Sequence, residues 1–397
     1  MFDALQPRPA DAIMALMEMC KADPNPNKID LGVGVYKDEL GRTTILDTVK
    51  KAEALWFQEE ETKSYIGTVG NKQFSEHMMK LILGDDHAAV TEGRIGMSQT
   101  AGGSGALRMA GELINEAAPD ITLWASTPTW ANHIPLITSA GVKMDSYPYY
   151  NRETLSVDFD DMIAHLNAHA VEGDAVLLHG CCHNPTGADL TEAQWDELAQ
   201  FLADKKLVPF VDLAYFGLGK SLEDDVYGLR RLVDLCPEVI IAASCSKNFA
   251  LYRERVGVVA VVTHTPERAE IITSQFGSIQ RRIISMPPDH GAALVARILG
   301  DDTLKAEWMA EVSGMCARII NLRGNLADAM NVQGGELISR AVRSQKGMFS
   351  TLPLSKEQAE LLRSRHSVYV TNSGRMNMAG LNMNNIPRLA EALLDVI

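Results

Sequence analysis

From Arg94 onward the hydrophobic pattern alternates between short apolar runs and amphipathic stretches. Residues 95–99, 121–126, 175–179, 207–211, 239–243 and 256–262 are apolar, short and bounded by polar or turn residues, which predicts buried strands. Strands separated by helical periods predict an α/β fold with a mostly parallel sheet covered on both faces. One connecting helix is legible in detail. Thr191 with Gln194 forms a capping box, and Trp195, Leu198, Ala199 and Leu202 then fall on one face.

The flanks have a different rhythm. A short helix is predicted over 12–20, followed by a loop of Pro and Asn and by an extended segment over 29–36. In that segment Gly32 and Gly34 alternate with aliphatics, so its backbone passes close either to a ligand or to another stretch of chain. After Pro287-Pro288 the pattern is largely helical, with a long Pro-free segment over 302–330, a helix over 356–366, a strand over 368–370 and a closing helix. This divides the chain into an N-terminal arm that joins a small domain (1–40), a large domain (41–304) and a small α+β C-terminal domain (305–397).

Composition narrows the function classes. The chain has 397 residues, ample for a large core, and a formal charge of -14, which disfavours a nucleic-acid partner because phosphate backbones need a basic face. No apolar run approaches the roughly 18 residues that span a bilayer. The segment Ile13-Met14-Ala15-Leu16-Met17 lies between Asp11 and Glu18 without a basic leader, so no signal peptide or membrane association is predicted, and the expected location is the cytoplasm. Six cysteines, with Cys181 and Cys182 adjacent, read as reduced buried thiols rather than a disulfide framework.

Candidate chemistry clusters at the ends of the predicted strands. In Ser244-Cys245-Ser246-Lys247-Asn248-Phe249 a Lys follows a buried strand; a buried amine loses its proton more readily and becomes a nucleophile toward carbonyls. Gly102-Gly103-Ser104-Gly105-Ala106 opens a helix after the first strand and is either a tight turn or an anion cup, although it matches neither the P-loop nor the dinucleotide fingerprint. His179-Gly180-Cys181-Cys182-His183-Asn184-Pro185-Thr186-Gly187 ends another strand. A metal is not expected there, since Asp189 is the only nearby carboxylate and strand alternation would point neighbouring side chains to opposite faces. Asn184 is either a turn residue or a ligand-orienting amide. Asp212 ends an apolar run and needs a partner, for which a protonated pyridine nitrogen or a helix N-terminus would serve.

Taken in order, Gly103-Ser104-Gly105, Trp130, Asn184-Pro185-Thr186-Gly187, Asp212 with Tyr215, Ser244-Cys245-Ser246-Lys247 with Arg255, and Ser373-Gly374-Arg375 resemble the class I aminotransferases, closest to the bacterial aspartate and aromatic-amino-acid enzymes. The resemblance runs from about Leu5 to the C-terminus. It implies the fold-type I architecture and pyridoxal 5'-phosphate as cofactor. It also implies a ping-pong transfer of the amino group of Phe, Tyr, Asp or Glu to 2-oxoglutarate or oxaloacetate.

Residue by residue, the resemblance makes Lys247 the Schiff-base and proton-shuttling lysine, Asp212 the partner of the ring nitrogen, and Tyr215 and Asn184 the partners of the 3'-oxygen. Trp130 would stack on the ring. Gly102, Gly103, Ser104, Ser244 and Arg255 would hold the phosphate, with Tyr65 reaching in from a second subunit of a homodimer. Gly34, Trp130, Asn184 and Arg375 would contact substrate, Arg375 clamping its α-carboxylate, while Arg281, with Arg282 as competitor, would receive a side-chain carboxylate across the dimer. His133 and His179 match supporting positions, and the bonds Thr127-Pro128 and Asn184-Pro185 match cis positions.

Departures bear on substrate. Ile284 and Met286 stand where relatives carry polar residues, and Ser104 resembles the aromatic-accepting branch, whereas Val35, Lys37 and Thr43 resemble the aspartate branch. A β-lyase or decarboxylase on the same fold, or a non-catalytic aminotransferase-like sensory domain, are the alternatives. A nicotinamide oxidoreductase lacks its fingerprint.

Overall fold

The computed structural model describes residues 1–7 and 11–397. Its centre is a seven-stranded sheet of β1 (Ile95–Ala101), β2 (Thr122–Thr127), β3 (Lys143–Pro148), β4 (Ala175–His179), β5 (Val208–Leu213), β6 (Val239–Ser244) and β7 (Val256–Val262), in spatial order β1-β7-β6-β5-β4-β2-β3. Pairing is parallel throughout except at β7, which runs antiparallel to both of its neighbours.

Six of these strands coincide with the apolar runs; β3 was not predicted. Its sequence, Lys-Met-Asp-Ser-Tyr-Pro, forms the sheet edge, and apart from buried Tyr147 it is largely exposed, so it carries no apolar run to read. The central strands are covered on both faces. Along β5, β6 and β7, Phe210, Ala242 and Val259 join one apolar cluster, while Val211, Ile241 and Val258 join another on the opposite face, as a two-residue period requires.

Helix α1 (Ala12–Ala22) begins at Asp11, whose carboxylate accepts from the amides of Ile13 and Met14. Helix α2 (Gly102–Ala117) follows β1 directly, and α3 (Pro266–Ile283) starts with Thr265 as cap and Pro266 in its first turn. The capping boxes at Thr191 and Ser355 are both present. Helix α4 (Asp302–Val332) belongs to two cores. Leu304, Trp308, Val312 and Ile319 pack with the large sheet, while Leu322, Leu326 and Met330 join a separate cluster with Ile29, Leu362, Val368 and Leu389. The N-terminal strand Ile29–Asp30 pairs in parallel with Val368–Tyr369, fastening the first part of the chain to the last. No helix among the described residues is long and apolar enough to cross a membrane.

Candidate active site

The strand register gathers the polar groups at one end of the sheet. His179 of β4 lies beside Asp212 of β5, Asp212 beside Ala242 of β6, and Ser244 opposite Gly257 of β7, with Gly102 just beyond the end of β1. A cleft of about 280 Å³ opens there. Every residue singled out above for cofactor or substrate contact lines it except Gly102, Tyr65, Arg281 and its competitor Arg282.

One end of the cleft is an anion cup. Gly102 has φ 72°, and a Cβ built on it would lie 2.4 Å from the Arg255 guanidinium, so only glycine lets that group approach the start of α2. Arg255 donates to the Tyr252 carbonyl at 3.1 Å and toward the Ser246 hydroxyl at 3.4 Å, and among the described residues it has no carboxylate partner. A cation without a counter-ion, a helix N-terminus and the hydroxyls of Ser104 and Ser244 meet there.

At the floor, Asp212 Oδ2 lies 2.9 Å from His133 Nε2, and His133 Nδ1 lies 2.8 Å from the Thr129 hydroxyl. Burial pushes the Asp212 carboxyl up, but the His133 hydrogen bond, then the nearby His133 ring and the Lys247 amine, outweigh it, and the net shift is downward. Asp212 therefore stays ionised and accepts from His133 Nε2–H, while His133 Nδ1 and the Thr129 hydroxyl share a second hydrogen bond. His179 is held neutral: burial, then His133, lower it to about 3 against Asp212, and both of its ring nitrogens lack partners.

Lys247 follows β6 and is half-buried, its Nζ 4.3 Å from the centre of the Tyr215 ring. Burial lowers it to about 8, with Asp212 opposing and Arg255 assisting, so a sizeable fraction of the amine is neutral near physiological pH. Asn184 Nδ2 lies 3.5 Å from the Tyr215 hydroxyl, and Asn184 Oδ1 is buried without a partner. Asn184-Pro185 and Thr127-Pro128 are both cis. Trp130 stands edge-on to His133 at 5.3 Å.

At the other end Arg375 is buried and donates through one terminal nitrogen to the Gly32 carbonyl at 2.8 Å, while its Nε has no partner. Its guanidinium sits 4.5 Å above the Phe349 ring, and a Cβ on Gly34 would come within 3.0 Å of that ring. The sequence reading missed Phe349, Ser246, Tyr252 and Ile13, all of which line the cleft. Ser246 could have been found from its place beside Lys247; Ile13 and Phe349 look like ordinary core positions in the sequence.

Tyr65 is 91% exposed and lies away from this chain's cleft. Arg281 and Arg282 end α3 exposed; Arg282 pairs with Glu116, and among the described residues Arg281 makes no ion pair.

The sequence profile of the family "Aminotransferase class I and II" matches residues 26–393. A tyrosine aminotransferase of Rhizobium meliloti is 42% identical over 390 residues, covering 98% of each chain. An aspartate aminotransferase of Escherichia coli is 41% identical over 397 residues, covering all of both. The crystal structure of an aromatic-amino-acid aminotransferase from Burkholderia pseudomallei, covalently bound to pyridoxal phosphate, superposes with a TM-score of 0.97 at 36% identity, covering 100% of this chain and 99% of that one.

Proposed function

The chain belongs to the class I and II aminotransferases, and from that premise we propose how its cleft transfers an amino group. It is a pyridoxal phosphate enzyme that transaminates aromatic and dicarboxylic amino acids, with 2-oxo acids as acceptors. The observation that carries the reading is a half-buried, partly neutral Lys247 in one cleft with an ionised Asp212, an uncompensated Arg255 at one end and a half-satisfied Arg375 at the other.

The residues present fit the cofactor. The cup that a Cβ on Gly102 would fill suits a phosphate held by Arg255, Ser104, Ser244 and the first amides of α2. Asp212 would hold a protonated ring nitrogen, and Asn184 and Tyr215 would hold the 3'-oxygen. Trp130 would cover the ring face. When bound, pyridoxal phosphate supplies an aldehyde that captures amino groups and a ring that accepts negative charge from the substrate α-carbon.

Lys247 Nζ would take the α-proton and return it to the aldehyde-derived carbon of the cofactor across the shared nitrogen, a task that needs a partly neutral amine. Arg375 receives the α-carboxylate through its free Nε and a terminal nitrogen, fixing the bond to be broken toward Lys247. His133 keeps Asp212 oriented and ionised.

We read the enzyme as a cytoplasmic homodimer with shared sites, the second cluster of α4 with the N-terminal strand serving as a smaller lobe. The unengaged, exposed Tyr65 and Arg281 support this, since neither has a role on its own chain. The test is transamination by the purified holoenzyme. Turnover of both aspartate and phenylalanine with 2-oxoglutarate is expected; an enzyme that eliminates or decarboxylates these substrates without forming glutamate would overturn the reading.

A further inference from the structure

Behind the loop that carries Asn184, three ligating groups meet that transamination does not use. Cys181 and Cys182 follow β4, Asp225 comes from the short turn Asp224–Val226, and one ligand atom of each lies within 4.8 Å of the others. The alternation that would separate adjacent side chains fails here. Cys182 adopts the left-handed conformation, φ 52°, and the two thiols come together.

Asp225 is preset for a ligand. Its carboxylate accepts from the amides of Gly217, Gly219 and Lys220 at 2.8, 2.8 and 2.9 Å. About four lone-pair positions exist on a carboxylate, so one is left. A second, half-buried carboxylate, Asp189, accepts from the amides of Cys182 and His183, so two carboxylates stand beside the two thiols. A cavity of about 50 Å³ lined by Cys181, Asp189 and Asp225 adjoins these groups. Of the two lysines on its wall, Lys220 is engaged by Asp224 at 2.6 Å, and Lys346 makes no ion pair among the described residues.

We propose that Cys181, Cys182 and Asp225 form a site for one thiophilic divalent cation, Zn²⁺ or Cd²⁺, separate from the reaction centre. Two sulfurs and one oxygen suit a soft tetrahedral ion and not Mg²⁺ or Ca²⁺. At ordinary bond lengths such an ion needs ligand separations of roughly 3.3–3.8 Å, so from separations within 4.8 Å the groups close by about 1.5 Å or less. On binding, both thiols release their protons to solvent, two metal–sulfur bonds form, a water from the cavity takes the fourth position, and no electron is transferred.

The test is titration of the untagged, reduced holoenzyme with Cd²⁺, followed by ultraviolet difference absorption of the cadmium–thiolate bond. Saturation at one ion per chain is expected, with affinity falling on the order of 100-fold or more in Cys181→Ser and Cys182→Ser, since even loss of an outer-shell partner costs 10–100-fold. The visible band of the cofactor reports that each variant is folded. Asp225→Asn should weaken binding while leaving the thiolate signal. If Asp225→Asn does not fold, the two cysteine variants decide alone. No thiolate band in the wild type, or an undiminished one in either serine variant, overturns the proposal, and full affinity in folded Asp225→Asn overturns the third ligand.

Discussion

At the floor and phosphate end of the cleft, most strong groups answer to another group of the same chain, Asp212 to His133, His133 to Thr129, and Arg255 to Tyr252 and the glycine turn, while the neutral His179 ring has no partner. At the substrate end, Arg375 and Asn184 keep unpartnered buried atoms, Phe349 arrives on the short strand Phe349–Thr351, and the arginine matched to a substrate side chain lies exposed elsewhere. The first region is prepaid in hydrogen bonds and positions a cofactor to a narrow tolerance. The second waits for its ligand to complete it, which is how one reaction centre can serve more than one amino acid.

The comparison breaks most readily at Lys247. Lys247→Ala removes the amine that attacks and moves the proton, and turnover should fall by about 10⁴-fold or more. Pyridoxal phosphate should still bind through Arg255 and the α2 terminus, without a covalent link. Steady-state kinetics beside an absorption spectrum of the bound cofactor check this; substantial transamination by the variant would remove Lys247 from the centre. A companion measurement uses pH. Because burial lowers Lys247 to about 8, the apoenzyme should capture pyridoxal phosphate faster as pH rises toward 8, with a flattening above it. A midpoint near the ordinary lysine value would contradict the buried position.

Asp212→Asn should come next. A neutral amide can still accept from His133 but supplies no charge to keep the ring nitrogen protonated; loss of one member of a buried pair costs about 3–5 kcal/mol, or on the order of 10³-fold in kcat/KM. A loss below tenfold would place the electrostatic control somewhere other than this carboxylate.

These two residues were legible because each is a lone polar group at the end of a run of apolar ones, the place where an open α/β sheet binds ligands. The same logic exposed Asn184 and the glycine turn. It failed where the pattern carries no contrast. The edge strand β3 is mostly polar, and Phe349 and Ile13 are apolar residues that face a cleft instead of a core. The pairing of Cys181 and Cys182 with Asp225 was invisible for two reasons: a positive φ cancels the expected alternation, and the carboxylate comes from a distant turn.

At the substrate end, Arg375→Lys keeps the charge but loses the planar fork. The buried Nε and terminal nitrogen that await a carboxylate together should be worth about 3 kcal/mol, near 100-fold in kcat/KM, and the loss should be equal for aspartate and phenylalanine because both present the same α-carboxylate. Unequal losses would mean that Arg375 also reads the side chain.

The smallest expected effect tests the substrate end most sharply. Arg281 is exposed, and an exposed ion pair is worth only about 0–1 kcal/mol, so on its own chain Arg281→Ala should be nearly silent with every substrate. If Arg281 instead reaches a second subunit's cleft, it meets a dicarboxylic side chain out of water, where a charge-assisted hydrogen bond is worth about 1.5–3 kcal/mol. The variant should then lose roughly ten-fold or more in kcat/KM with aspartate while phenylalanine changes little, because an aromatic ring offers no carboxylate to leave unpaired. Ile284 and Met286, close behind in the chain, supply apolar surface where a second charge would otherwise favour the acid, and this keeps the expected discrimination modest. Measuring both substrates on the unmodified enzyme and on Arg281→Ala and Arg282→Ala separates the cases. A ratio that moves only in Arg281→Ala assigns the carboxylate to that residue, a ratio that moves only in Arg282→Ala transfers it to the neighbour now paired with Glu116, and equal losses for both amino acids would show that neither arginine divides the two kinds of substrate.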